Sequence, residues 1–175
     1  MRLSACAALF AAALIPLAGC GDSAKAPVAP AAQAPADARF PVAIGGLTLR
    51  VRLALTELEQ ATGLMGTTRL AVDEGMIFAY RNAAQRAFWM ANVPYDIDAG
   101  YFDAEGKLDE TVRLRANDTN PVPSKSGNIR YVVEAPAGWF AAQGLKPGAA
   151  IDLDALGAAI RSRGFAEKGF VDSKP

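Results

Sequence analysis

The chain has no histidine, and its only cysteines are Cys6 and Cys20. A Ser-His-Asp or Cys-His catalytic engine is thereby excluded, as is any histidine-ligated zinc or iron centre. No Walker-type phosphate loop and no dinucleotide-binding glycine fingerprint occurs. No sign of charge dominates either. The 18 basic residues are matched by 18 acidic ones, which leaves no clustered basic footprint for nucleic acid and no polybasic patch for an anionic membrane. Long apolar runs are lacking too: residues 3–17 form an Ala/Leu-rich stretch, shorter than the roughly 20 residues of a spanning helix. Carboxylates, guanidinium groups, hydroxyls, aromatics and thioethers remain to carry any chemistry. No cofactor is implied.

That apolar stretch follows a short positive start, Met1-Arg2, and ends in the small residues of Leu17-Ala18-Gly19-Cys20. Charge, length and cleavage site together are those of a bacterial lipoprotein signal peptide over residues 1–19. Cys20 is then the lipidated first residue of the mature chain, which is expected in the cell envelope, anchored to a membrane and facing the periplasm. The Asp that would favour inner-membrane retention stands one residue late, at Asp22 after Gly21, so inner or outer membrane stays open. With Cys6 removed and Cys20 lipidated, no disulfide is available and stability must come from packing. Removing 19 of 175 residues leaves 156, enough for one ordinary domain with a tail, expected to be monomeric. Losing Arg2 changes the balance to 17 basic and 18 acidic residues, a net charge of −1.

Residues 20–38 are rich in alanine, with Pro27, Pro30 and Pro35 spaced among them. Such a segment favours extended polyproline geometry at about 3.1 Å per residue and reads as a tether. The folded domain is expected over 39–156. Leu47, Leu49, Val51, Leu53 and Leu55 alternate with Thr48, Arg50, Arg52 and Ala54, the period of a half-buried strand. Thr56 and Glu59 have the spacing of a capping box, and the helix after it carries Leu58, Ala61, Leu64 and Met65 on one face, ending at Gly63 and Gly66. Further strands are expected over 75–80, 87–90, 99–102, 108–114 and 129–134. Asp103-Ala104-Glu105-Gly106 makes a tight hairpin between two of them. A second short helix over 136–143, a turn at Lys146-Pro147-Gly148 and a last strand over 150–153 complete the domain. The expected fold is mainly β, a compact single-domain sandwich or barrel with two short helices. Residues 157–175, rich in glycine and charge, read as a loosely held tail.

The densest cluster of informative residues is Phe88-Trp89-Met90-Ala91-Asn92, followed by Asp96, Asp98, Tyr101, Phe102 and Asp103. With Gly63-Leu64-Met65, Glu74-Gly75-Met76-Ile77-Phe78, Gly106, Val132-Val133-Glu134, Gly138 and the Gly144-to-Gly148 close, it resembles, in order, the pattern of the bacterial domain of unknown function 192 family. The resemblance covers most of residues 40–153 and implies a fold and a compartment, but no reaction. Two positions depart from it. The basic residue usual after Gly-Leu-Met is Thr67, with Arg69 nearby, and the usual Ile-Pro before the strand aspartate is Tyr95-Asp96.

Three chemistries fit these residues. In the first, a small-ligand binding or accessory module, Trp89 floors an apolar cleft while Asn92, Asp98 and Arg113 supply oriented polar groups. An unknown small molecule or an envelope glycan suits such a site, because an aromatic face stacks on sugar C–H groups. The plainer alternative puts Phe88 and Met90 in the core and uses Asn92 to cap a turn. In the second, a carboxylate enzyme on envelope polysaccharide, Asp96 and Asp98 are two apart and share one side of a strand. Ordinary turn and backbone hydrogen bonding explains the same aspartates. The third is Cu(I) held by Met65, Met76 and Met90, thioethers that also serve as core gap-fillers. The binding module is the preferred reading, with no enzyme activity expected.

Overall fold

The computed structural model describes residues 32–171. The signal peptide, Cys20 and most of the tether lie outside the described residues. Eight strands and three helices follow one another: β1 Phe40–Ile44, β2 Leu47–Ala54, α1 Glu57–Thr62, β3 Glu74–Ala84, β4 Ala87–Phe88, β5 Ile97–Asp103, β6 Leu108–Leu114, β7 Val122–Pro123, β8 Ile129–Pro136, α2 Trp139–Ala142 and α3 Leu153–Ser162. Six strands make one sheet in the order β1-β2-β3-β8-β5-β6, and β4 pairs with β7 separately. Only the β2–β3 pair within the large sheet is parallel. Its crossover runs through α1, whose capping box forms as expected between Thr56 and Glu59.

Each strand face feeds a different core, as the two-residue side-chain period requires. Leu49, Val51 and Leu53 of β2, Tyr131 and Val133 of β8 and Phe102 of β5 meet Phe140, Leu156 and Ile160 on one side. Ala54, Met76, Phe78, Ala99, Tyr101 and Val132 meet Leu64, Phe88, Met90 and Val93 on the other. The mainly β fold is thus as expected, and both sheet edges are tied by one segment. Ala150 O accepts from Gly45 N, and Asp152 N donates to Ala43 O at the β1 edge. Leu108 N donates to Ala149 O at the β6 edge. These bonds close one end of the sheet towards a barrel.

Four expectations need correction. Residues 150–153 supply only bridges to the sheet edges, because Asp152 caps α3 by accepting from Ala155 N at 3.0 Å. The tail from residue 157 is not loosely held: Leu156, Ala159 and Ile160 recur at i, i+3 and i+4 and are buried, and Phe170 and Val171 complete the same core. Glycine and charge counts concealed that stripe. The tether ends earlier than 38, since Ala34 N donates to Ser162 O at 2.8 Å and Arg163 Nη1 to Ala36 O at 3.4 Å. In α1 no residue is buried, and Leu58 is 78% exposed; the helix is held by its cap, by Gln60 and by Glu59, not by an apolar face.

Gly75 shows how tightly β2, β3 and β8 approach. A Cβ there would lie 2.6 Å from the Glu134 carbonyl oxygen and 2.6 Å from Leu49 Cδ2. Gly75→Ala must displace backbone, so it is expected to destabilise by about 2–3 kcal/mol, at the upper end for overpacked cores. Urea unfolding checks it.

Candidate functional site

Strand register sets Arg52, Met76, Glu134, Ala99 and Val112 side by side across β2, β3, β8, β5 and β6. Alternation then turns the Glu134 side chain towards the outer core of Met76, Phe88 and Met90, the inner core being the one around Phe140 and Leu156. Glu134 is 4% exposed. Its Oε2 has no hydrogen-bond partner among the described residues. Burial pushes its carboxyl up to about 8, against the opposing pull of Arg52. Arg52 does not relieve the burial: its Nη2 is 3.5 Å from Gly63 O and 3.8 Å from Met76 Sδ, and it forms no ion pair among the described residues. Tyr80 and Tyr95, whose phenols also feel Glu134, are raised mainly by their own burial.

Glu134 borders a cavity of about 30 Å³ whose other walls include Gly63, Met65, Phe78, Phe88 and Trp89. A single water needs roughly 10–15 Å³ by this measure, so the space takes a small chemical group and not a whole sugar ring. Phe78 and Phe88 meet edge to face with centroids 4.8 Å apart and fix the inner wall. Trp89, at the cavity's edge, is 51% exposed. Across Gly63 lies a second, shallower cleft of about 280 Å³, bordered by Asp37, Arg52, Leu58 and Met76.

The sequence-predicted residues divide. Trp89 reaches the site. Asn92 sits beside it as an exposed turn residue with φ of 56°, its carbonyl accepting from Gly66 N at 3.4 Å. Asp98 and Arg113 do not join Trp89. Ala99 shares the row of Glu134, so its neighbour Asp98 faces the opposite side of the sheet. There Asp98 takes the Arg113 guanidinium on one oxygen and Gly138 N, at 2.7 Å, on the other, pinning the start of α2. Asp96 accepts separately from Ala116 N and from Arg115, which hold it below the ordinary carboxylate range. The two aspartates therefore do not share a proton. Asp103 accepts from Glu105 N and Lys107 N, the hairpin role expected of it.

Among the methionines, Met65 borders the cavity, Met90 is buried in the outer core, and the sulfur of Met76 already faces the Arg52 guanidinium. A cation on the thioether opposes binding of a second one. Glu134 was missed as a site residue. The legible signal was a lone acid closing the apolar run Tyr131-Val132-Val133 in a strand buried on both faces. The two departures from the family pattern touch: Thr67 Oγ1 and the Tyr95 hydroxyl share a hydrogen bond.

Fold and site together define a mainly β domain built on a six-stranded sheet, with an acid that lacks a hydrogen-bond partner on one oxygen among the described residues, beside a cavity bordered by aromatic side chains. The model of the domain of unknown function 192 family, described as "Uncharacterized ACR", matches residues 40–153, and the chain belongs to that family. No curated protein matches. Among solved structures, a protein of unknown function from Novosphingobium aromaticivorans DSM 12444 is 30% identical, with 65% of this chain and 84% of that one covered and a TM-score of 0.61. A Sinorhizobium meliloti 1021 protein described as a candidate transcription regulator is 25% identical, with 66% and 93% covered and a TM-score of 0.61.

Proposed function

We propose that the chain is a lipid-anchored envelope protein whose domain is a small-ligand binding or accessory module, with its site at the Glu134 cavity. The carrying observation is that Glu134, whose Oε2 has no hydrogen-bond partner among the described residues, borders a space also bordered by Trp89. A buried polar atom without a partner costs about 1–3 kcal/mol, and a ligand that reaches it recovers that cost. An envelope carbohydrate suits the exposed indole face, with only one substituent entering the cavity. Catalysis by an aspartate pair lacks its pair, and Cu(I) binding lacks a free thioether at Met76.

The test is intrinsic fluorescence of the full chain against envelope sugars and peptidoglycan fragments. A saturable change is expected, absent in Trp89→Phe and at least tenfold weaker in Glu134→Gln. Trp139, buried against Phe140, remains as an internal reference. Asp98→Ala should lower stability while leaving the response in place. No response across the panel would sink the reading. Its location half is tested separately: Cys20→Ser is expected to release the protein from the membrane fraction.

A further inference from the structure

We propose, resting on that binding reading, that the group entering the cavity is a primary ammonium, with Glu134 as its counter-ion and Phe78, Phe88 and Trp89 as its aromatic walls. Glu134 is the one ionisable residue bordering the space, so no cationic side chain lines it to hold an anion. Three aromatic side chains border this one small volume, and aromatic rings attract a cation more strongly once water is excluded. The thioether of Met65 adds a polarisable wall without adding charge. Size agrees, since about 30 Å³ admits an ammonium head and little beyond it.

The groups that feel Glu134 from its surroundings are Arg52 on β2, Tyr80 on β3, Tyr95 before β5 and Tyr101 on β5. Only Arg52 is a cation. Its guanidinium is directed to Gly63 O and Met76 Sδ, on the side of Gly63 away from the aromatic walls. Burial holds Glu134 protonated at neutral pH, so an ammonium that binds must displace that proton. The proton leaves to solvent and the bound pair is ammonium and carboxylate. No covalent bond is made or broken in the ligand. Such an amine is carried by an amino sugar or by a free amine of the lysine type.

Fluorescence titrations of the full chain with glucosamine, glucose, methylammonium and methanol test the proposal. Glucosamine and methylammonium are expected to saturate, with glucose and methanol at least tenfold weaker, and Glu134→Gln to lose at least tenfold for both amines. Glucosamine tenfold tighter than methylammonium points to an amino sugar; equal affinities point to the amine alone. A second readout needs no variant. An alkylammonium keeps its proton well past neutrality, as a lysine does. Its affinity should therefore rise about tenfold per pH unit from 5.5 towards 7.5 and level off above about 8. Glucose binding as well as glucosamine, or a flat pH profile, overturns the ammonium assignment and leaves the binding reading intact. Silence from all four probes and from the wider sugar panel overturns both.

Discussion

A chain ending after Leu153 is expected not to fold cooperatively, although the family match ends there. Leu156, Ile160, Phe170 and Val171 lie beyond that point and are each at most 6% exposed. Fully burying each side chain stabilises by about 1.5–3 kcal/mol, so their joint loss is on the order of 6–12 kcal/mol. That matches the entire stability of an ordinary domain, about 5–15 kcal/mol. Polar ties go with them. Arg163 donates to Leu53 O at 3.2 Å and pairs with Glu59, which in turn accepts from Leu55 N and Thr56 N. Truncation thus opens the inner core and loosens the start of α1 in one step. Circular dichroism with urea titration should show no sigmoidal transition for the truncated chain, and a cooperative transition like that of the full chain would refute this.

The second large effect is a loss of stability as pH rises through neutrality. Glu134 has an ordinary value of 4.5 when unfolded and about 8 when folded. Between those limits the folded state holds a proton that the unfolded state has released. Stability is therefore greatest below the lower value and falls as pH rises towards the upper one, by about 1.4 kcal/mol per unit. The absence of histidine makes the window clean, because no other side chain ordinarily titrates there. Glu59, Asp73, Asp96 and Glu110 are held low by their partners and weaken the fold only in acid. Glu134→Gln should flatten the slope, leaving stability at pH 8 close to that at pH 5.5. Urea midpoints at the two pH values read it, and an unchanged slope in the variant would place the effect elsewhere.

Local chemistry was the readable part. The Thr56–Glu59 capping box, the Asp103–Gly106 hairpin and the alternation of β2 from Leu49 to Leu53 each depend on neighbours within a few residues and stand as expected, whereas Leu47 is exposed and Ala54 buried. Two kinds of feature were not readable. β1 has only five residues, with a proline among them, and is a strand because β2 folds back beside it through Gly45 and Gly46. The α3 stripe was hidden by the glycines and charges around it, and its burial depends on the inner faces of distant strands. The site divides the same way. Trp89 was singled out by its motif and borders the cavity, whereas Asp98 and Arg113 could not be placed without knowing which face of β5 meets β8.

By itself the sequence determined that no histidine or thiol chemistry is open to the domain, that the fold is mainly β, and that the family signature lies in one ordered series of motifs. These follow from residue identity and from periods of two to four residues, which act at short range. Only the tertiary structure decided that Glu134 Oε2 is buried without a hydrogen-bond partner among the described residues, that Trp89 stands at its cavity, and that Asp98 belongs to the opposite face. Those depend on strand register between segments tens of residues apart. A shift of one residue in β8 would have turned Glu134 away from the cavity, with its neighbours in the chain unchanged.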